Sequence, residues 1–153
     1  MVDKHIQQAV QIALAEDLNG QHADEGDITA NLIPQTHHID AQVITREDCV
    51  LAGEAWVTET FRQINPDIAL EWLANDGQAL NANQTIVKIS GNARQILTAE
   101  RTALNFLQTL SAPSIKSSIA LSLSSSLYLG LETIHSSKAA LEFVVYKNPA
   151  TIG

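Results

Sequence analysis

Cysteine, arginine and aromatic residues are all scarce in this 153-residue chain, and each shortage excludes something. Cys49 stands alone, so neither an internal disulfide nor a zinc site built on paired cysteines can form, and a reducing cytoplasm is the expected home. Nine Lys and Arg against seventeen Asp and Glu leave a net charge of −8, which excludes general attraction to nucleic acid or an anionic membrane. An anionic ligand would need a local cluster of positive groups. No apolar run reaches the roughly 18 residues of a membrane span, and Met1–Gln8 lacks the apolar core of a signal peptide, so a soluble, cytoplasmic protein is expected. The length also falls short of the roughly 250 residues of a full (β/α)8 barrel.

With 45% hydrophobic residues the chain can still fold around a core, but its composition is not uniform. Residues 1–110 hold one serine, Ser90, whereas residues 111–137 hold ten. All eleven glutamines and all four arginines precede residue 111, and the charge divides into −9 before that point and +1 after it. Residues 1–111 are therefore expected to be one domain, and residues 112–153 a Ser-rich tail of different origin. Read plainly, that tail is a linker followed by a short amphipathic helix over 136–146. Its segments Ile119–Leu123 and Leu127–Leu131 are nevertheless too apolar for a solvated linker.

Apolar residues every four positions at Ile6, Val10, Leu14 and Leu18, with Asp3 as N-cap, predict a first helix over Lys4–Leu18. Residues 20–37 are polar and read as an irregular connection. Strands are expected at Asp40–Thr45, Val50–Ala52, Ile68–Leu73 and Thr85–Ile89, and a helix at Glu54–Ile64. Asp76-Gly77 marks a turn. A last helix runs from Ala93 to about Leu110. Helices at both ends with strands between them predict an α+β sandwich and not a doubly wound parallel sheet.

On a wheel of about 100° per residue, the apolar residues of the last helix, among them Ile96, Ala99, Ala103, Leu104 and Leu107, occupy one half. Gln95, Thr98, Thr102, Asn105 and Gln108 fill the other. Glu100 falls inside the apolar half, as a structural polar residue that must extend to solvent, find a partner or turn neutral. Arg94 and Arg101 lie about 20° apart on the polar half, two turns from each other. A solvated helix face would explain this pair as well. Against it, they are two of only four arginines in an acidic chain, on a face of Thr, Asn and Gln that can bond a ligand.

The segment Leu97-Thr-Ala-Glu-Arg-Thr-Ala-Leu-Asn-Phe-Leu-Gln-Thr-Leu-Ser111 resembles the signature helix of quinolinate phosphoribosyltransferase, the carboxylating nicotinate-nucleotide pyrophosphorylase. Ala13–Leu18, Gly26–Thr29, Leu32–Pro34, Ile44–Asp48, Leu51–Gly53, Trp56, Phe61, Trp72, Asp76-Gly77 and Gly91–Arg94 resemble that family in order and spacing. The resemblance covers about residues 5–111. It implies the N-terminal α/β sandwich of the type II phosphoribosyltransferases, without their C-terminal α/β barrel. It also implies the family reaction, in which quinolinate and phosphoribosyl pyrophosphate give nicotinic acid mononucleotide, pyrophosphate and carbon dioxide, with magnesium on the phosphates.

By the same resemblance, Arg101 reaches across a homodimer interface to the quinolinate carboxylates, a bidentate role that suits a guanidinium. Arg94 is a second substrate-binding candidate, on helix-face geometry alone. The family's catalytic and phosphate-binding groups belong to the barrel, so no catalytic residue, metal ligand or cofactor site is assigned here. The chain alone is expected to be inactive. After Ser111 the resemblance stops, and residues 112–153 read as out-of-frame or degenerate sequence.

His37-His38 reads as a polar surface pair and not a metal site, because adjacent residues on a strand diverge. Glu16-Asp17 and Glu47-Asp48 read as a helix end and a turn, and Arg46 as a structural partner of an acid cluster or of Glu100. Trp56 and Trp72 read as core or interface anchors. One competing class is a non-catalytic module that dimerises or pairs with a full-length homologue. Another is a carrier-like hairpin over 76–91, which resembles the biotinyl and lipoyl domains but has Lys88 inside a strand and no lysine at the turn. A molybdenum-transport-linked relative shares the architecture, but Leu-Thr-Ala-Glu-Arg-Thr favours the quinolinate enzyme.

Overall fold

The computed structural model describes residues 2–19, 33–113 and 140–146. Helix α1 spans Lys4–Asp17, opened by the Asp3 carboxylate, which accepts from the His5 N–H at 2.9 Å. Strands β1 (His38–Thr45) and β2 (Cys49–Val50) follow, then α2 (Glu54–Ile64). Next come β3 (Ala69–Trp72), β4 (Ala79–Leu80) and β5 (Thr85–Asn92). Helix α3 (Ala93–Leu110), β6 (Ala112–Pro113) and β7 (Leu141–Tyr146) are the last of the described elements.

Every strand pairing among the described residues is antiparallel, in a four-stranded sheet ordered β3-β5-β1-β7 and a small sheet ordered β4-β2-β6. The register places Ala41 opposite Ile89 and Val43 opposite Val87, and all four are buried. Alternation sends these residues to one face of the large sheet, where α2 and α3 cover them with Val57, Phe61, Ile96, Ala99 and Leu107. Helix α1 packs outside α2 and α3 through Val10 and Leu14. The result is an α+β sandwich with helices on one side of the sheet.

Two joints fix α2 and α3 together. Gly53, the N-cap of α2, has φ 116°, and a Cβ there would come within 3.2 Å of a Leu110 methyl carbon at the end of α3. Only glycine meets both demands without strain. The Ser111 hydroxyl then donates to the Ala52 carbonyl at 3.0 Å, and Asp76 accepts from the Glu54 N–H at 3.0 Å. Both bonds tie helix ends to the loops beside β2.

Most elements stand where the sequence places them, with α2 over the same residues and the strands shifted by one to three. Strand β5 runs through Gly91, which pairs with Ile39 and packs against Ile68, instead of ending before it. The tail differs most. Residues 141–146 form a strand and not a helix, with Leu141, Phe143 and Val145 opposite Thr45, Val43 and Ala41 of β1. Two strands from beyond residue 111 therefore join the sheets of the sandwich. The Ser-rich stretch 114–139 lies outside the described residues.

Candidate functional site

Helix α3 carries the residues singled out above. Asn92 caps it, its Oδ1 accepting from the N–H groups of Arg94 at 3.1 Å and Gln95 at 3.4 Å. The Asn92 amide also donates to the Gln35 carbonyl at 2.5 Å, and the Ala93 N–H donates to the His37 carbonyl at 2.8 Å. The helix start thus clasps residues 33–37.

Arg94 belongs to that clasp. Its Nε donates to the Ile33 carbonyl, and the side chain is half-buried. The pairing of Arg94 with Arg101 on one open face is accordingly not what the fold builds: Arg94 holds backbone, and Arg101 is exposed. Among the described residues the Arg101 side chain makes no hydrogen bond or ion pair.

The buried arc of α3 also differs from the hydrophobic half of the wheel. Thr98 and Thr102 are buried at 6% and 2% exposure because α1 packs on their side, and Thr102 donates to the Asp17 carboxylate. Thr98 returns its hydroxyl to the Arg94 carbonyl at 2.9 Å, the usual solution for a buried helical threonine. Gln95 accepts from the Asn65 amide at 2.6 Å, and Gln108 donates to the Leu141 carbonyl at 3.2 Å. The polar half is therefore used for packing, except for Arg101 and Asn105, which face solvent.

Burial shifted toward Thr98 and Thr102 leaves Leu97, Glu100 and Leu104 only half-covered beside Arg101. Burial pushes the Glu100 carboxyl above its ordinary value, and the neighbouring Arg101 charge opposes that rise. Leu97 also lines an apolar cleft with Ile33, Pro34, Ile39 and Val145. A cation next to partly uncovered apolar surface suits a flat, anionic ligand or a partner surface, and it supplies no acid, base or nucleophile.

The remaining candidates resolve as structure. His38 Nε2 lies 3.0 Å from the Ser90 hydroxyl, which donates to Asp40 at 2.6 Å, while His37 holds the start of α3 through its carbonyl. Asp48 accepts from the Ala82 N–H at 2.9 Å, and Trp72 donates to Thr58 at 3.1 Å. Arg46 pairs with Glu142 of the tail strand and not with an acid cluster or Glu100. Lys88 lies within β5 opposite Glu71 and Gln42. No group of three His, Cys, Asp or Glu among the described residues is placed to hold a metal ion. No described helix is long and apolar enough to cross a membrane.

Three helices on one face of an antiparallel sheet, among the described residues, are the fold of the N-terminal sandwich class of type II phosphoribosyltransferases. The family profile described as "Quinolinate phosphoribosyl transferase, N-terminal domain" matches residues 27–111, and the chain belongs to that family. It is 35% identical over 107 residues to a mitochondrial quinolinate phosphoribosyltransferase [decarboxylating] 2 of Nicotiana glauca, covering 69% of this chain and 29% of the relative. It is 35% identical over 103 residues to the chloroplastic nicotinate-nucleotide pyrophosphorylase [carboxylating] of Arabidopsis thaliana, covering 67% and 28%. The chain thus spans less than a third of the length of these relatives. The solved nicotinate-nucleotide pyrophosphorylase of Francisella tularensis superposes with a TM-score of 0.63 at 40% identity, covering 71% of this chain and 37% of that one.

Proposed function

We propose that this chain supplies the sandwich half of a quinolinate phosphoribosyltransferase site, with Arg101 as its contribution to binding the substrate carboxylates. The observation that carries the reading is the contrast along α3. Five of its polar side chains are spent on packing, whereas Arg101 projects free from the matched helix beside half-covered Leu97 and Leu104. Its charge offers a bidentate partner to a carboxylate, and the apolar strip offers surface to a partner that closes over it.

In this reading the reaction is the one the family resemblance implies, quinolinate joined to phosphoribosyl pyrophosphate with magnesium on the phosphates, in the route to NAD. Among its described residues no cluster is placed to hold a metal ion for that chemistry. In this reading the rest of the site comes from a barrel-bearing partner, either a second subunit or a full-length homologue, and the cytoplasm is its compartment. The purified chain is expected to form no nicotinic acid mononucleotide from quinolinate, phosphoribosyl pyrophosphate and magnesium. Steady formation by the pure protein would overturn the reading.

A further inference from the structure

Helices α1 and α2 hold between them a cleft of about 410 Å³, lined on the α1 side by Lys4, Gln7, Gln8 and Gln11 and on the α2 side by Glu59, Arg62 and Gln63. No residue of α3 lines it, so it is separate from the face of Arg101. Glu59 is 1% exposed, and hydrogen bonds from Arg62 and Gln63 hold its carboxyl below the ordinary value, so it is ionised at neutral pH. It accepts from Arg62 Nε at 2.7 Å, from Arg62 Nη2 at 2.6 Å and from the Gln63 amide at 2.7 Å. The tie across to α1 is made by Gln63, which also donates to the Gln7 carbonyl at 3.0 Å. Covering a carboxylate is costly, and the Glu59–Arg62 pair, three residues apart on one helix, fastens no second element. What it fixes is the guanidinium at the cleft.

The groups left over define what fits. Among the described residues the Lys4 ammonium and the side-chain amides of Gln7, Gln8 and Gln11 have no hydrogen-bond partner, and Arg62 Nη1 is not engaged by Glu59. Two cations against one carboxylate give the cleft a net charge of +1 in a chain of −8. Glu59 already fills the planar fork of Arg62, so what remains are single donors from separate residues, which suit the three oxygens of a phosphate better than a planar carboxylate. Each amide also carries an acceptor, which an anion cannot use and a hydroxyl can. We propose that the cleft between α1 and α2 binds a sugar phosphate, with Lys4 and Arg62 on the phosphate and Gln7, Gln8 and Gln11 on the hydroxyl groups. Its volume lies within the roughly 300–1,000 Å³ of small-molecule sites.

The test titrates the full, isotope-labelled chain with glucose 6-phosphate, inorganic phosphate and glucose, following backbone amides by NMR. Glucose 6-phosphate is expected to produce saturable shifts along Lys4–Gln11 and Glu59–Gln63, with a dissociation constant of about 5 mM or lower, and to leave Thr98–Asn105 unmoved. Inorganic phosphate binds the same residues at least about threefold more weakly, and glucose at least about tenfold more weakly. Lys4→Gln weakens glucose 6-phosphate at least about fivefold, whereas Lys88→Gln, which removes a cation within β5, changes it by less than about twofold. Glu59→Gln weakens it as well, although it removes a negative charge, because Arg62 loses its anchor. Absence of saturable shifts up to about 20 mM, shifts centred outside the two helices, equal affinity for phosphate and its sugar ester, equal loss from the two lysine variants, or tighter binding to Glu59→Gln would each overturn the proposal.

Discussion

Replacing Leu141 by Ala tests whether the tail strand is part of the folded unit. Leu141 is 7% exposed, sits opposite Thr45 of β1, and its carbonyl accepts from Gln108 of α3. Truncating a buried leucine costs the lost transfer energy plus that of the cavity, roughly 2–5 kcal/mol, and a sheet edge that can partly collapse belongs near 2–3 kcal/mol. Total stability of a domain this size is about 5–15 kcal/mol, so the loss is a large fraction of it. At about 4–8 °C per kcal/mol the melting temperature falls by about 8–24 °C. Val145 of the same strand is 52% exposed, and Val145→Ala should cost under about 1 kcal/mol. Urea unfolding followed by circular dichroism and by tryptophan emission measures both, and an unchanged m-value would confirm that the strand stays docked in each. If Leu141→Ala falls within about 0.3 kcal/mol of the parent, or matches Val145→Ala, then β7 does not contribute to the core and the reasoning fails.

The two arginines of α3 should separate cleanly. Arg94→Ala removes the bond to the Ile33 carbonyl and lowers stability by about 1–2 kcal/mol in thermal melts, whereas Arg101→Ala stays within about 0.5 kcal/mol of the parent. Gly53→Ala meets both a positive φ and the Leu110 contact, and should cost more than about 1 kcal/mol by the same measurement. Hydrogen bonds from Arg62 and Gln63 hold the Glu59 carboxyl below its ordinary value of 4.5, against the opposing effect of burial. Its stabilisation is complete above pH 4.5 and fades as pH falls through the depressed value, so Glu59→Gln flattens the acid limb of the stability curve. Glu100 behaves oppositely: its raised carboxyl costs stability as pH climbs above 4.5, so Glu100→Gln is more stable than the parent at pH 7 and equal to it at pH 3.

The parts of the fold with strong local signals were legible in the sequence. Helix α2 follows from Val57, Phe61 and Ile64 on one face, and α3 from its capped, amphipathic run. Tertiary packing decided the rest. Thr98 and Thr102 count as polar on a wheel, but α1 covers that side and Asp17 and the Arg94 carbonyl satisfy their hydroxyls, so the buried arc rotates toward them. That rotation uncovers Leu97 and Leu104, while the Ile33 carbonyl holds Arg94 away from the exposed face of Arg101.

Strand β7 was masked by a different cause. Its alternation Leu141, Phe143, Val145 is short, and apolar Val144 on the opposite face blurs it into a pattern that also fits a helix turn. The signals that identify it are long-range, in the pairing with β1, Arg46–Glu142 and Gln108–Leu141, and no local reading contains them. The exposure of Arg101 was legible because its surroundings are written along one helix.

The most direct test of the proposed role is complementation. A complete family enzyme whose equivalent of Arg101 is replaced by Ala is co-purified with this chain and assayed for nicotinic acid mononucleotide formation. Recovery of activity with the parent chain, and none with its Arg101→Ala variant, is the predicted result. Recovery that does not depend on Arg101, or a co-purified assembly that stays inactive with the parent chain, would contradict the account.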